Sequence, residues 1–191
     1  MVPVRSKPRT GTLVYLMGPS GSGKDSLIDQ ALAANLPNVV LAPRLVTRQN
    51  PSKSNDLYLP EDRFLALKKN GELALHWTSH GYHYAIDNSL NAMLGQGLIV
   101  LVNGSRDYFK TAKELFPSLL PILITADPQI LKARLENRAR EDPDSISKRL
   151  LRTNDSFDLP LADTLVIDNS SSLELASNRF ISHLKKLMED G

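Results

Sequence analysis

Residues 12–26 read TLVYLM followed by GPSGSGKDS, and the junction between the two halves decides the fold. Six almost wholly apolar residues in a row are the pattern of a strand covered on both faces. The glycines that follow let the chain turn tightly enough for successive backbone N–H groups to point at an anion. An amphipathic run, LIDQALAA at 27–34, comes next, so the turn feeds the positive end of a helix and Lys24 stands where it can reach the outer phosphates of a nucleotide. Gly18, Pro19, Ser20, Gly21, Ser22, Gly23, Lys24, Asp25 and Ser26 therefore read as a P-loop, with Lys24 the catalytic cation. The bland alternative is a glycine-rich strand-to-helix turn without function, which would have no use for a lysine at this spacing. One position departs from the usual pattern. Where a Ser or Thr commonly ligates magnesium stands Asp25, with the hydroxyl one place later at Ser26.

Outward from this loop, short apolar runs alternate with helix-period segments, which is the pattern of strand–helix units around a parallel sheet. Further strands are expected at Leu98–Val102, Leu120–Thr125 and Thr164–Ile167. Helices are expected at Lys24–Ala34, Arg106–Leu115, Pro128–Arg138 and Leu173–Met188, with Asp127 capping a helix that opens on Pro128. The prediction is an α/β fold forming one domain over residues 1–191, with a core of 12–38 and 98–190. From Val39 the pattern turns to short polar-rich runs broken by Pro43, Pro51 and Pro60, then to Leu73–Trp77 and Tyr82–Ile86 around Gly81. This reads as an inserted, partly antiparallel flap over about 39–97. The charged stretch at about 138–147 interrupts the helical pattern and reads as a lid.

The 191 residues are 41% apolar and 23% charged, an ordinary globular composition. Twenty-three Lys and Arg against 21 Asp and Glu leave a net charge of only +2, which argues against nucleic acid as a main partner. The absence of cysteine excludes disulfides and zinc-thiolate sites. No window is apolar for long enough to cross a bilayer, so a soluble cytoplasmic protein with no membrane partner is expected; the oligomeric state is not legible.

Other candidates follow from place and charge. Asn103 and Arg106 close the strand LIVLV, at the carboxyl edge where open parallel sheets bind ligands. Ser105 could merely cap the next helix, but an arginine in a first helical turn meets the unfavourable end of the macrodipole and calls for an anion. Between Lys132 and Arg152 positive charge is in surplus. Solvated ion pairs account for Lys132 and Arg152, whereas Arg138, Arg140 and Arg149 are candidates for clamping phosphate, which arginine can do bidentately. His76, His80 and His83 straddle a turn without a carboxylate between them, so acceptor contact or packing is expected of them rather than metal binding. Trp77 and Tyr82 read as flap core.

The loop GPSGSGKDS resembles that of guanylate-kinase-like P-loop kinases. Val46-Thr47-Arg48, His83-Tyr84-Ala85, and Arg134 to Arg140 with Lys148-Arg149-Leu150 resemble that branch's flap and Arg-rich lid. The resemblance implies a P-loop NTPase fold: a three-layer parallel sheet of nucleoside-monophosphate-kinase type with an acceptor flap and a lid. It implies ATP and Mg2+, with Arg140 joining the P-loop at the nucleotide, Arg138 and Arg149 catalytic, and Arg48, His76, Tyr84, Asn103 and Arg106 around the acceptor. Departures accompany it. His76 stands where guanylate kinases carry the carboxylate that reads guanine, Pro51 replaces a second flap arginine, and Leu101 occupies the place of an Asp near magnesium, which Asp25 could replace as the metal ligand. GKDS together with Val102-Asn-Gly-Ser-Arg106 and LENRARE is closer to the ribose 1,5-bisphosphate phosphokinases of phosphonate utilisation, although the Glu-Asn-His expected in their flap is here Asn55-Asp56-Leu57. That likeness implies a phosphorylated sugar as substrate and 5-phosphoribosyl 1-diphosphate as product. Alternatives are a guanylate or other nucleoside-monophosphate kinase, and a non-catalytic binding module, which would have no reason to keep Lys24.

Overall fold

A computed structural model describes residues 10–49, 51, 55–137 and 163–190. Its centre is a five-stranded parallel sheet. The strands are β1 (Thr12–Met17), β2 (Val39–Leu41), β7 (Ile99–Asn103), β8 (Leu120–Thr125) and β9 (Leu165–Asp168), in the order β2-β7-β1-β8-β9. The central position of β1 explains its apolar run. Leu13, Tyr15 and Met17 point into one core layer, and Val14 and Leu16 into the other. The second layer is closed by α1 (Lys24–Ala33) and α6 (Leu173–Asp190), through Leu27, Ile28 and Ala31 on one helix and Ala176, Phe180 and Leu184 on the other. The first is closed by α3 (Ser89–Gly95), α4 (Phe109–Leu115) and the inner face of the flap, through Leu90, Phe109, Ala112, Leu75 and Trp77. The helix α5 (Pro128–Glu136) starts as expected, with the Asp127 carboxylate accepting from the Gln129 N–H at 2.8 Å.

The flap is a four-stranded mixed sheet of order β4-β3-β6-β5. It is built from β3 (Arg44–Val46), β4 (Asp56–Tyr58), β5 (Leu73–Ser79) and β6 (Tyr82–Asp87), with α2 (Glu61–Lys69) between β4 and β5. Its β5–β6 hairpin turns on His80 and Gly81, both at positive φ (51° and 76°), the geometry of a two-residue turn whose twist matches the strands.

Most element ends shift from the sequence reading by no more than two residues, and two differences go further. Val39–Leu41, expected to open the flap, pairs with β7 in the core sheet; a strand of three residues carries too little pattern to betray its partner. The helix expected from Arg106 starts at Phe109. The Tyr15 hydroxyl accepts from the Ser105 N–H and donates to the Ser105 carbonyl, both at 2.9 Å, holding that residue out of the helix. Gly104 is needed there, since a Cβ would lie 2.0 Å from the Tyr15 ring. Tyr82, expected in the flap core, is exposed, whereas Trp77 is buried. Among the described residues no helix is long and apolar enough to cross a membrane.

Candidate functional site: the phosphate loop and its surroundings

The carboxyl ends of β1, β7 and β9 converge on the loop at 18–23, the edge where open parallel sheets place ligands. Gly18, Gly21 and Gly23 have φ of 151°, 85° and 92°, values that side chains other than glycine rarely adopt. The loop is held from behind. Asn169, just after β9 and 1% exposed, donates from Nδ2 to the Ser22 carbonyl at 2.8 Å. Arg134 on α5 donates to the carbonyls of Asn169 (3.0 Å) and Gly21 (3.4 Å). In a trans peptide C=O and N–H point opposite ways, so tying back the Ser22 carbonyl aims the Gly23 N–H away from Asn169. A Cβ on Gly23 would lie 2.2 Å from the Asn169 Nδ2, so the approach requires glycine. The helix α1 begins at the next residue and adds its positive end. The ammonium of Lys24 caps the loop, donating to the carbonyls of Gly18 (2.8 Å) and Pro19 (2.9 Å). A fixed cation and an oriented N–H at a helix start make an anion cradle.

Asp25 lies in the first turn of α1, and its Oδ1 accepts from Asn103 Nδ2 at 2.7 Å. Asn103 ends β7. Leu101, the position matched to a missing carboxylate, points to the same side of the strand but lies fully buried beneath α1, so Asn103 is the β7 side chain that reaches the loop. Ser26 is exposed.

Arg44, absent from the sequence-derived candidates, joins this edge to the flap. Its Nε and Nη2 form a two-pronged pair with the Asp56 carboxylate at 2.8 and 3.0 Å, its Nη1 donates to the Asn103 carbonyl at 3.2 Å, and its guanidinium sits 5.2 Å from the centre of the Tyr84 ring. Tyr84 in turn stacks on Trp77, with centroids 5.8 Å apart and planes at 9°. Arg48 is half-buried just past β3, beside Thr47, whose hydroxyl and N–H bond the His83 backbone at 2.9 and 3.0 Å.

His76 packs between Phe64 and Tyr108, and burial, aided by Lys68 and His83, lowers its basicity. His83 stacks on Phe64 and bonds Thr78 (2.9 Å) and Glu61 (3.3 Å). Arg106 occupies the turn ahead of α4, not its first helical turn, so the macrodipole argument for it does not apply. Arg138, Arg140 and Arg149 lie outside the described residues.

The sequence profile of a family described as an AAA domain matches residues 13–160. The ribose 1,5-bisphosphate phosphokinase PhnN of Thiobacillus denitrificans is 41% identical over 177 residues, spanning 91% of this chain and 93% of that protein. The protein of the same name from Burkholderia mallei is 38% identical, over 92% of this chain and 96% of its own length. The chain belongs to the AAA-domain family and to the ribose 1,5-bisphosphate phosphokinase family. Among solved structures, guanylate kinase from Anaplasma phagocytophilum superposes with a TM-score of 0.67 at 18% identity, over 93% of this chain and 86% of that one. At that identity the likeness concerns the fold, which is the guanylate-kinase-like P-loop NTPase fold.

Within this phosphokinase family member, sequence reasoning found the loop and missed what holds it. Asn169 lies 147 positions from its partner Ser22, and nothing local marks it beyond its place after an apolar run. Arg44 could have been found only by pairing β3 with β4, whose register sets Arg44 beside Asp56.

Proposed function

We propose that this chain catalyses transfer of the γ-phosphoryl group of ATP to the 1-phosphate of ribose 1,5-bisphosphate, giving 5-phosphoribosyl 1-diphosphate and ADP. The observation that carries the reading is the 41% identity to a ribose 1,5-bisphosphate phosphokinase over nearly all of both chains, joined to an intact anion cradle around Lys24.

The acceptor nucleophile is a phosphate oxygen, already ionised at neutral pH. It forms a bond to the γ-phosphorus as the bond from that phosphorus to the β,γ-bridging oxygen breaks, and ADP leaves with the electron pair. No proton has to be removed, so the chain's task is positioning and charge neutralisation. Lys24 and the loop N–H groups hold the nucleotide phosphates. Arg48, Tyr84 and Arg106 hold the acceptor, and Arg138, Arg140 and Arg149 close over the transferred group as a lid. Magnesium suits the donor set, since Asp25 offers a hard carboxylate oxygen, oriented by Asn103, beside the phosphate-binding lysine. When bound it neutralises phosphate charge. Use of ATP fits a cytoplasmic site of action.

The test is incubation with Mg-ATP and ribose 1,5-bisphosphate, ribose 5-phosphate, GMP or gluconate, with products followed by phosphorus NMR. A new diphosphate signal with the bisphosphate alone is expected. Turnover of GMP at least as fast as of the bisphosphate would overturn the assignment. The place of His76, against Phe64 and Tyr108 with no carboxylate in its stead, argues against a guanine site.

A further inference from the structure

The Arg44 guanidinium has more to do than stabilise the flap. A buried ion pair with Asp56 accounts for Nε and Nη2, and the two side chains are 12% and 3% exposed. It leaves the third contact, to the Asn103 carbonyl, unexplained. The ladder of β7 supplies the reason. On its β2 side the Leu101 carbonyl accepts from the Ala42 N–H at 2.9 Å, after which the chain leaves the core sheet for β3. Alternate carbonyls of a strand face the same side, so the next acceptor on that edge is Asn103, and Arg44 Nη1 takes the donor's place. The flap thereby contributes the last rung of the core sheet.

That rung falls on the residue whose side chain orients Asp25. A guanidinium is planar and its donors are fixed relative to one another. It cannot keep both Asp56 and the Asn103 carbonyl while β3 shifts against β7. The face of the same group lies against Tyr84, which stacks on Trp77 within the flap. A continuous set of contacts thus runs from Tyr84 through Arg44 and Asn103 to Asp25, the neighbour of Lys24.

We infer that Arg44 is a positioning residue through which acceptor bound at the flap and magnesium nucleotide bound at the loop strengthen each other's binding. The inference rests on the proposed function for the identity of the acceptor. By linkage, the factor by which one ligand tightens the other is the same in both directions and measures the coupling.

The experiment is calorimetric titration of ribose 1,5-bisphosphate into the whole protein, alone and saturated with a magnesium-loaded, non-hydrolysable ATP analogue. Wild type is expected to bind the bisphosphate about tenfold more tightly in the second case. Arg44→Lys keeps a cation for Asp56 but cannot span to Asn103. Asn103→Ala keeps the carbonyl for Arg44 and loses the bond to Asp25. Arg44→Lys should retain the bisphosphate affinity measured without nucleotide to within about threefold, and in both variants the tenfold ratio should fall toward one. A merely structural Arg44 would change the first number and spare the second. A wild-type ratio of one, or a wild-type ratio preserved in either variant, would overturn the coupling. Failure of wild type to bind the bisphosphate under any condition would instead remove the proposed acceptor, and the inference with it.

Discussion

The core sheet and the flap are built on opposite plans. Every core strand is parallel, central strands are buried on both faces, and the loops that matter are fixed by contacts from distant parts of the chain, as Asn169 fixes Ser22. The flap mixes parallel and antiparallel pairs, and two of its strands have only three residues. It leaves Leu57, Tyr58, Leu65 and Tyr82 exposed, at 50%, 47%, 52% and 40%. Phosphoryl transfer demands a donor group held to a fraction of an ångström, and the core supplies that rigidity. On the proposed reading the flap is the acceptor side and has to admit and release a substrate, which suits a smaller sheet with less buried surface.

That contrast can be broken at several points. The largest expected effect is at the rigid end. Lys24→Ala should lower kcat/KM by more than a hundredfold, about 3 kcal/mol, because under the proposed mechanism it removes one charge-assisted contact to the transferring group. Its melting temperature should stay close to that of wild type. Gly104→Ala drives a methyl into the buried Tyr15 ring and should cost about 2 kcal/mol of stability, read as a fall of several degrees in the melting temperature. An unshifted melt would mean the turn after β7 yields more readily than the core around it. Asp25→Asn should raise the magnesium concentration needed for half-maximal rate about tenfold. Unchanged magnesium dependence with a near-normal rate would reduce Asp25 to a helix-terminus charge.

Gly81→Ala supplies the flap counterpart of Gly104→Ala. Nothing lies within 4 Å of the added carbon, and only the left-handed φ of 76° opposes it, so the cost should be about 1 kcal/mol without loss of phosphate binding. The smallest effect concerns His76, whose pKa burial lowers below the 6.5 of free histidine. Below that pH the unfolded chain takes up a proton that the folded chain accepts only under more acid conditions, so stability falls as pH drops. His76→Gln should flatten the melting-temperature curve between about pH 7 and 5. His183 on α6 is lowered in the same direction by burial and Lys186, so the double variant should be flatter still.

What the sequence made legible follows the same division. The strands at Thr12–Met17 and Leu120–Thr125 agree residue for residue with the structure, because a strand buried on both faces writes its length as an unbroken apolar run. The P-loop was legible for a related reason: its glycines are needed by local backbone geometry, and its lysine stands at a fixed spacing from them. Val39–Leu41 is only half-buried and owes its existence to β7. The delayed start of α4 depends on a tyrosine hydroxyl ninety positions away, beyond the reach of any helical periodicity. Arg44 is an arginine in a polar stretch until β4 brings Asp56 to it, and its role is a fact of register, not of composition.

The bond from Asn169 to the loop has a consequence for how the protein comes into being. Ser22 is made 147 residues before Asn169. A nascent chain that has emerged only as far as β8 already holds the glycines and the lysine, but not the amide that pins the Ser22 carbonyl. The cradle is therefore completed when β9 docks beside β8 and carries Asn169 to the back of the loop. Stabilisation by a nucleotide in the completed cradle is therefore expected only once β9 has been made, and shortened products that end before β9 would be left without it.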